Sequence, residues 1–114
     1  MYTIYHNPRC SKSRQTLAIL EEKGISPEIV LYLENTPNEK ELADILAKLA
    51  ISPRQLLRKG EDAYKELKLA DDSHSDKALI EAMCSHPKLI ERPIVVKGDK
   101  AVLGRPPENV LELI

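Results

Sequence analysis

The feature that most constrains this 114-residue sequence is a junction close to its start. Residues 3–5 (Thr-Ile-Tyr) read as a short β-strand ended by Asn7-Pro8, a loop signal. Residues 11–23 then read as a helix carrying Leu17, Ala18, Ile19 and Leu20 and stopped by Gly24. Residues 28–33 (Glu-Ile-Val-Leu-Tyr-Leu) are rich in branched and aromatic types and read as a second, largely buried strand.

The middle of the chain reads as helical. Thr36-Pro37-Asn38-Glu39 has the spelling of a capping box with Pro at the first helical position, and Leu42, Ile45, Leu46 and Leu49 follow at helical spacing as an inward stripe. Ser52-Pro53-Arg54-Gln55 repeats the cap chemistry and opens a short helix that Gly60 should end; two more helices are expected at 62–67 and 75–85. Residues 94–97 and 100–103 flank Gly98-Asp99, a hairpin signal. After Arg105-Pro106-Pro107 a last helix is expected to turn Val110, Leu111 and Ile114 inward. The predicted architecture is α/β and thioredoxin-like: a mixed four-stranded sheet with a helical insert between the second strand and the C-terminal hairpin, in one domain over residues 1–114.

Composition narrows the function classes. A formal net charge of -1 gives no global field that would draw nucleic acid or an anionic membrane, and no apolar run is long enough for a bilayer span. Four Tyr with neither Phe nor Trp argue against base-stacking platforms and leave Leu, Ile, Val and Ala to build the core. The N-terminus lacks the spelling of a secretory signal, so a cytoplasmic location is expected, with Cys10 and Cys84 reduced.

The chemistry concentrates at Cys10. It lies between the first strand and the first helix in His6-Asn7-Pro8-Arg9-Cys10-Ser11-Lys12-Ser13-Arg14. At such a junction, backbone N–H groups and the positive end of the helix dipole converge and favour an anionic sulfur, with Arg9, Lys12 and Arg14 adding positive charge. His6 is a candidate cation or hydrogen-bond donor toward that sulfur. A C-x-x-C dithiol would need Cys where Ser13 stands, so an external resolving thiol is implied. A C-x-x-x-x-x-R phosphate loop would need Arg where Thr16 stands. Cys84 reads as a packing or surface thiol, His74 as solvated, and His86 as a residue at a helix end beside the last carbonyls. Cys84 and His86 lack the second spaced pair that a metal site needs.

These segments closely resemble the glutaredoxin-coupled arsenate reductase family, in its short members. The match spans nearly the whole chain through YHNPRCSKSR at 5–14, LYLEN at 31–35, LLRKG at 56–60, ERPIVV at 91–96 and GRPPE at 104–108. The resemblance implies that Cys10 attacks arsenate and forms a covalent adduct, that Arg58, Arg92 and Arg105 hold the oxyanion, and that His6 assists thiolate formation. It further implies that glutathione, as co-substrate, leaves Cys10 as a mixed disulfide that glutaredoxin reduces. Asn7, Ser13 and Pro93 match supporting positions, with the Arg92-Pro93 bond expected to be cis beside Cys10. A monomer without metal or bound organic cofactor is expected. Two other readings use the same fold and cysteine: a redox-responsive interaction module, and a thiol oxidoreductase acting on glutathione mixed disulfides.

Overall fold

The computed structural model describes residues 1–114. The chain forms two compact units, one of residues 1–35 with 92–114 and the other of residues 36–91.

The first unit is the sheet. Strands β1 (Tyr2–Tyr5), β2 (Glu28–Val30), β3 (Ile94–Lys97) and β4 (Lys100–Leu103) lie in the order β2-β1-β3-β4. β1 pairs parallel with β2 and antiparallel with β3, and β3 pairs antiparallel with β4, so the sheet is mixed, as expected. The parallel pair needs a crossover, which helix α1 (Ser11–Glu22) provides. Gly24, at φ +75, follows the end of α1, where the left-handed conformation closes the last turn, and Gly98, at φ +61, turns the β3–β4 hairpin. Ile4, Leu20, Val95, Val110 and Leu113 form the buried cluster. No helix of the chain is long and apolar enough to cross a membrane.

The sheet unit departs from the sequence reading at its second strand and its C-terminal segment. The second strand stops at Val30, because Leu31 begins a turn whose carbonyl accepts the N–H groups of Glu34 and Asn35. Its residues are also more exposed than a buried strand would be, since β2 is an edge and Glu28 and Ile29 face outward. The C-terminal segment Pro107–Leu113 is a 3₁₀-helix, whose period of three aligns Pro107, Val110 and Leu113 on the buried side. Leu111 and Ile114 consequently point outward, contrary to the expectation of an α-helical period.

The second unit is helical: α2 (Glu39–Leu49), α3 (Pro53–Leu56), α4 (Asp62–Glu66) and α5 (Asp76–Ser85), followed by a 3₁₀ turn at Pro87–Leu89. α2 starts two residues later than the Thr36 reading. Asn38 is its cap: the Asn38 Oδ1 accepts the Glu41 N–H at 2.8 Å, and Glu41 Oε1 accepts the Asn38 N–H at 3.1 Å. Ser52 and Gln55 make the second box as read, but α3 ends at Leu56, well before Gly60. Leu42, Ile45 and Leu46 of α2 and Leu79 and Met83 of α5 are buried.

Gly104 lets α1 sit close to the sheet. A Cβ at this position would overlap the Thr16 side chain and come within 2.8 Å of Pro93 Cγ. Gly104→Ala should therefore cost about 1–3 kcal/mol through overpacking. Gly60→Ala is the control, because a Cβ there meets nothing within 4 Å. Denaturant midpoints check this: a clear drop for Gly104→Ala against little change for Gly60→Ala is expected, and equal midpoints would contradict it.

Candidate functional site

Cys10 is the N-cap of α1, with extended backbone angles (φ -93, ψ 122) and no cap hydrogen bond from its side chain. The residue is half-buried, at the end of α1 where the positive end of the helix dipole emerges. The loop that places it is internally bonded. The Asn7 carbonyl accepts the Cys10 N–H at 3.0 Å, and Asn7 Oδ1 accepts the Arg9 N–H at 3.0 Å, the local turn that Asn favours. The Arg14 guanidinium donates to the Pro8 carbonyl at 2.9 Å, closing the loop from the helix side.

Ser13 anchors this loop from below. Its hydroxyl is fully buried, accepts the Asn7 N–H at 3.0 Å, and is hydrogen-bonded to His6 Nδ1 at 2.6 Å. His6, itself buried, thus has Nδ1 engaged with Ser13. Burial, and secondarily the Arg14 guanidinium, hold His6 below the usual imidazole value, so it is neutral near pH 7. That fits a positioning or hydrogen-bonding part better than the cationic one considered from sequence. Thr16, one turn on, donates to the Lys12 carbonyl at 2.8 Å and lies 3.4 Å from the Gly104 carbonyl.

Two of the three arginines singled out from sequence belong to this unit. Arg105 Nη1 is 4.0 Å from Cys10 Sγ and donates to the Arg92 carbonyl at 3.3 Å. A cation therefore stands beside the sulfur, tethered to the backbone just before Pro93. The Arg92-Pro93 peptide is cis, and so is Arg105-Pro106. The Pro93 carbonyl accepts the Gly104 N–H at 2.9 Å, so the segments bearing Arg92 and Arg105 are bonded to each other. Arg58 belongs to the helical unit, where it pairs with Glu61 at 3.8 Å and Glu91 at 3.7 Å. A hollow of about 250 Å³ borders the cysteine loop, lined by His6, Asn7, Pro8, Arg9, Leu31, Leu33 and Glu34.

The remaining candidates stand apart from this chemistry. Cys84 is half-buried on α5, and burial, then the Glu39 and Glu41 carboxylates, push its thiol up, which disfavours its thiolate. His74 Nε2 lies 2.9 Å from the Lys68 carbonyl, and His86 ends α5 through its backbone N–H to the Ala82 carbonyl. Sequence reasoning missed Thr16 and Gly104 as partners of the site, and the two carboxylates on Arg58. Only Glu61, at i+3 from Arg58, carried a signal in its spacing.

The depressed His6 value has a consequence for stability. Between the folded value and about 6.5, the unfolded chain binds a proton at His6 that the folded chain refuses. Stability is therefore undiminished above that window and falls as pH drops through it. His6→Gln should flatten this acid slope in thermal melts taken from about pH 7 to about pH 5. Parallel slopes in the two proteins would show that His6 is not its source.

Comparison with known proteins identifies the family. The ArsC family model matches residues 5–113. The uncharacterized protein YfgD of Escherichia coli K12 is 59% identical over 112 residues, covering 97% of this chain and 94% of the relative. An arsenate reductase of Haemophilus influenzae is 53% identical over 112 residues, covering 97% of each chain. Among solved structures, an arsenate reductase from Vibrio cholerae superposes with a TM-score of 0.97 at 53% identity, over 99% of this chain and 97% of that one. A cysteine at a helix N-cap, the neighbouring arginine and a family match over almost every residue lead to one assignment: the chain belongs to the ArsC family.

Proposed function

We propose that this chain reduces arsenate to arsenite, with Cys10 as the nucleophile and glutathione and glutaredoxin as the source of electrons. The observation that carries the reading is Arg105 Nη1 at 4.0 Å from a sulfur at the N-cap of α1, in a chain of this family. A thiolate meeting an arsenate anion is repelled, so cationic donors must converge where the two meet. Arg suits that task, because its planar fork matches an oxyanion and keeps its charge. Arg92 and Arg105 are proposed to supply it, joined by Arg58 on the strength of the resemblance.

The reaction passes through a thiol–arsenate adduct. The Cys10 thiol and arsenate condense to a sulfur–arsenic(V) bond with loss of water. The glutathione sulfur then attacks the Cys10 sulfur, and the electron pair of the broken S–As bond stays on arsenic, which leaves as arsenite. Cys10 is left as a mixed disulfide with glutathione. A glutaredoxin thiol takes the glutathione and returns Cys10 to the thiol. Ser13 in place of a second cysteine supports this use of outside thiols. Arg9 and Glu34 line the loop-side hollow and offer it both signs of charge. Such reducing chemistry belongs in the cytosol.

The test is arsenate-dependent NADPH oxidation with glutathione, glutaredoxin and glutathione reductase. Turnover should vanish in Cys10→Ser. In Arg105→Ala, kcat/KM for arsenate should fall by roughly 10²–10³, the loss typical of one oxyanion donor. No arsenate-dependent turnover in the unaltered protein, or full turnover without Cys10, would contradict the proposal.

A further inference from the structure

Arg58, read as an anion ligand, has two carboxylates within 4 Å of its own guanidinium, those of Glu61 and Glu91. We propose that Glu61 and Glu91 are positioning residues for Arg58, holding its guanidinium between two carboxylates and thereby weakening its grip on the oxyanion. This inference rests on the reading of Arg58 as an oxyanion ligand and adds what regulates that contact.

The backbone builds the clamp. The Arg58 N–H donates to the Leu89 carbonyl at 2.8 Å, the Glu91 N–H donates to the Leu56 carbonyl at 2.9 Å, and Leu57 and Ile90 form an antiparallel bridge between them. This short ladder brings the side chains of residues 58 and 91 together, and Arg58 Nε stands 3.7 Å from Glu91 Oε1. Glu61 approaches from the following turn, with its Oε2 3.8 Å from Arg58 Nη1. Both separations exceed hydrogen-bond range, so the carboxylates attract the guanidinium without a fixed bidentate bond to its fork. The three side chains are only 25%, 27% and 25% exposed, so water screens the field without removing it.

The three charges sum to one negative, and an arriving oxyanion therefore meets a group that repels it overall. It can use the Arg58 fork only against two carboxylates already beside it. Removing either charge while keeping the side-chain shape should tighten oxyanion binding through Arg58.

The experiment uses the full chain with Glu61→Gln and Glu91→Gln, each also in an Arg58→Ala background. Two readouts are taken: KM and kcat for arsenate in the coupled assay, and the rate of phenylglyoxal labelling of Arg58 followed by peptide mass. Each Gln variant should lower KM by about 2–5-fold, the size of a partly exposed ion pair, with a smaller change in kcat. The KM gain should disappear in the Arg58→Ala background, and Arg58 should label faster in both Gln variants. A KM that stays the same or rises in the Gln variants would overturn the proposal. So would a gain that persists without Arg58. Should the unaltered protein turn over no arsenate, the functional reading fails separately, and labelling still decides the clamp: faster labelling in the Gln variants upholds it, and an unchanged rate overturns it.

Discussion

The Ser13 hydroxyl joins the strand, the loop and the helix that the site is made of. It lies in the first turns of α1, yet it bonds backward to the Asn7 N–H and to the His6 ring at the end of β1. A residue type that competes with helical hydrogen bonds in most settings here ties the helix to what precedes it. With the position of residue 7 fixed, the turn from Asn7 to Cys10 follows, and the sulfur arrives at the helix N-cap. Ser13 is fully buried, so losing its hydroxyl would remove the partners that the Asn7 N–H and the His6 ring have in it.

A second constraint brings the cation to the sulfur. α1 approaches the ends of β3 and β4 closely only because residue 104 has no side chain, and Thr16 and Pro93 fill the space a Cβ would take. Arg105 follows directly, with its guanidinium bonded to the Arg92 carbonyl and within reach of Cys10. Packing and electrostatics are therefore coupled here: the glycine that permits the contact and the arginine that exploits it are neighbours in the chain.

Much of this was legible in the sequence, for reasons that can be named. The β1–α1 junction was readable because Asn-Pro and Gly24 punctuate it, and the hairpin because Gly98-Asp99 demands a tight turn. Cys10 stood out through its place ahead of a helix and among basic residues. The errors came where local pattern does not carry the information. Whether residues 28–33 form a buried or an edge strand depends on the sheet order, which no single segment encodes. The inward face of residues 107–113 depends on a 3₁₀ rather than an α period, and Pro at its start fits both. Thr36 and Asn38 are both competent caps and each has Glu three positions on, so the spacing alone does not choose between them; the helix is capped at Asn38. Likewise, nothing local ties Glu91 to Arg58, because the contact runs through a bridge between distant segments.

The two cysteines of the chain make its chemistry separable. Cys10 stands at a helix N-terminus beside a guanidinium, whereas Cys84 is pushed toward its thiol by burial and by Glu39 and Glu41. The most direct measurement is a single turnover with arsenate and glutathione but no glutaredoxin, quenched and mapped by peptide mass. Glutathione is expected on Cys10, only when arsenate is present, with Cys84 unmodified. Glutathione found on Cys84 instead, or no arsenate-dependent modification of either sulfur, would contradict it.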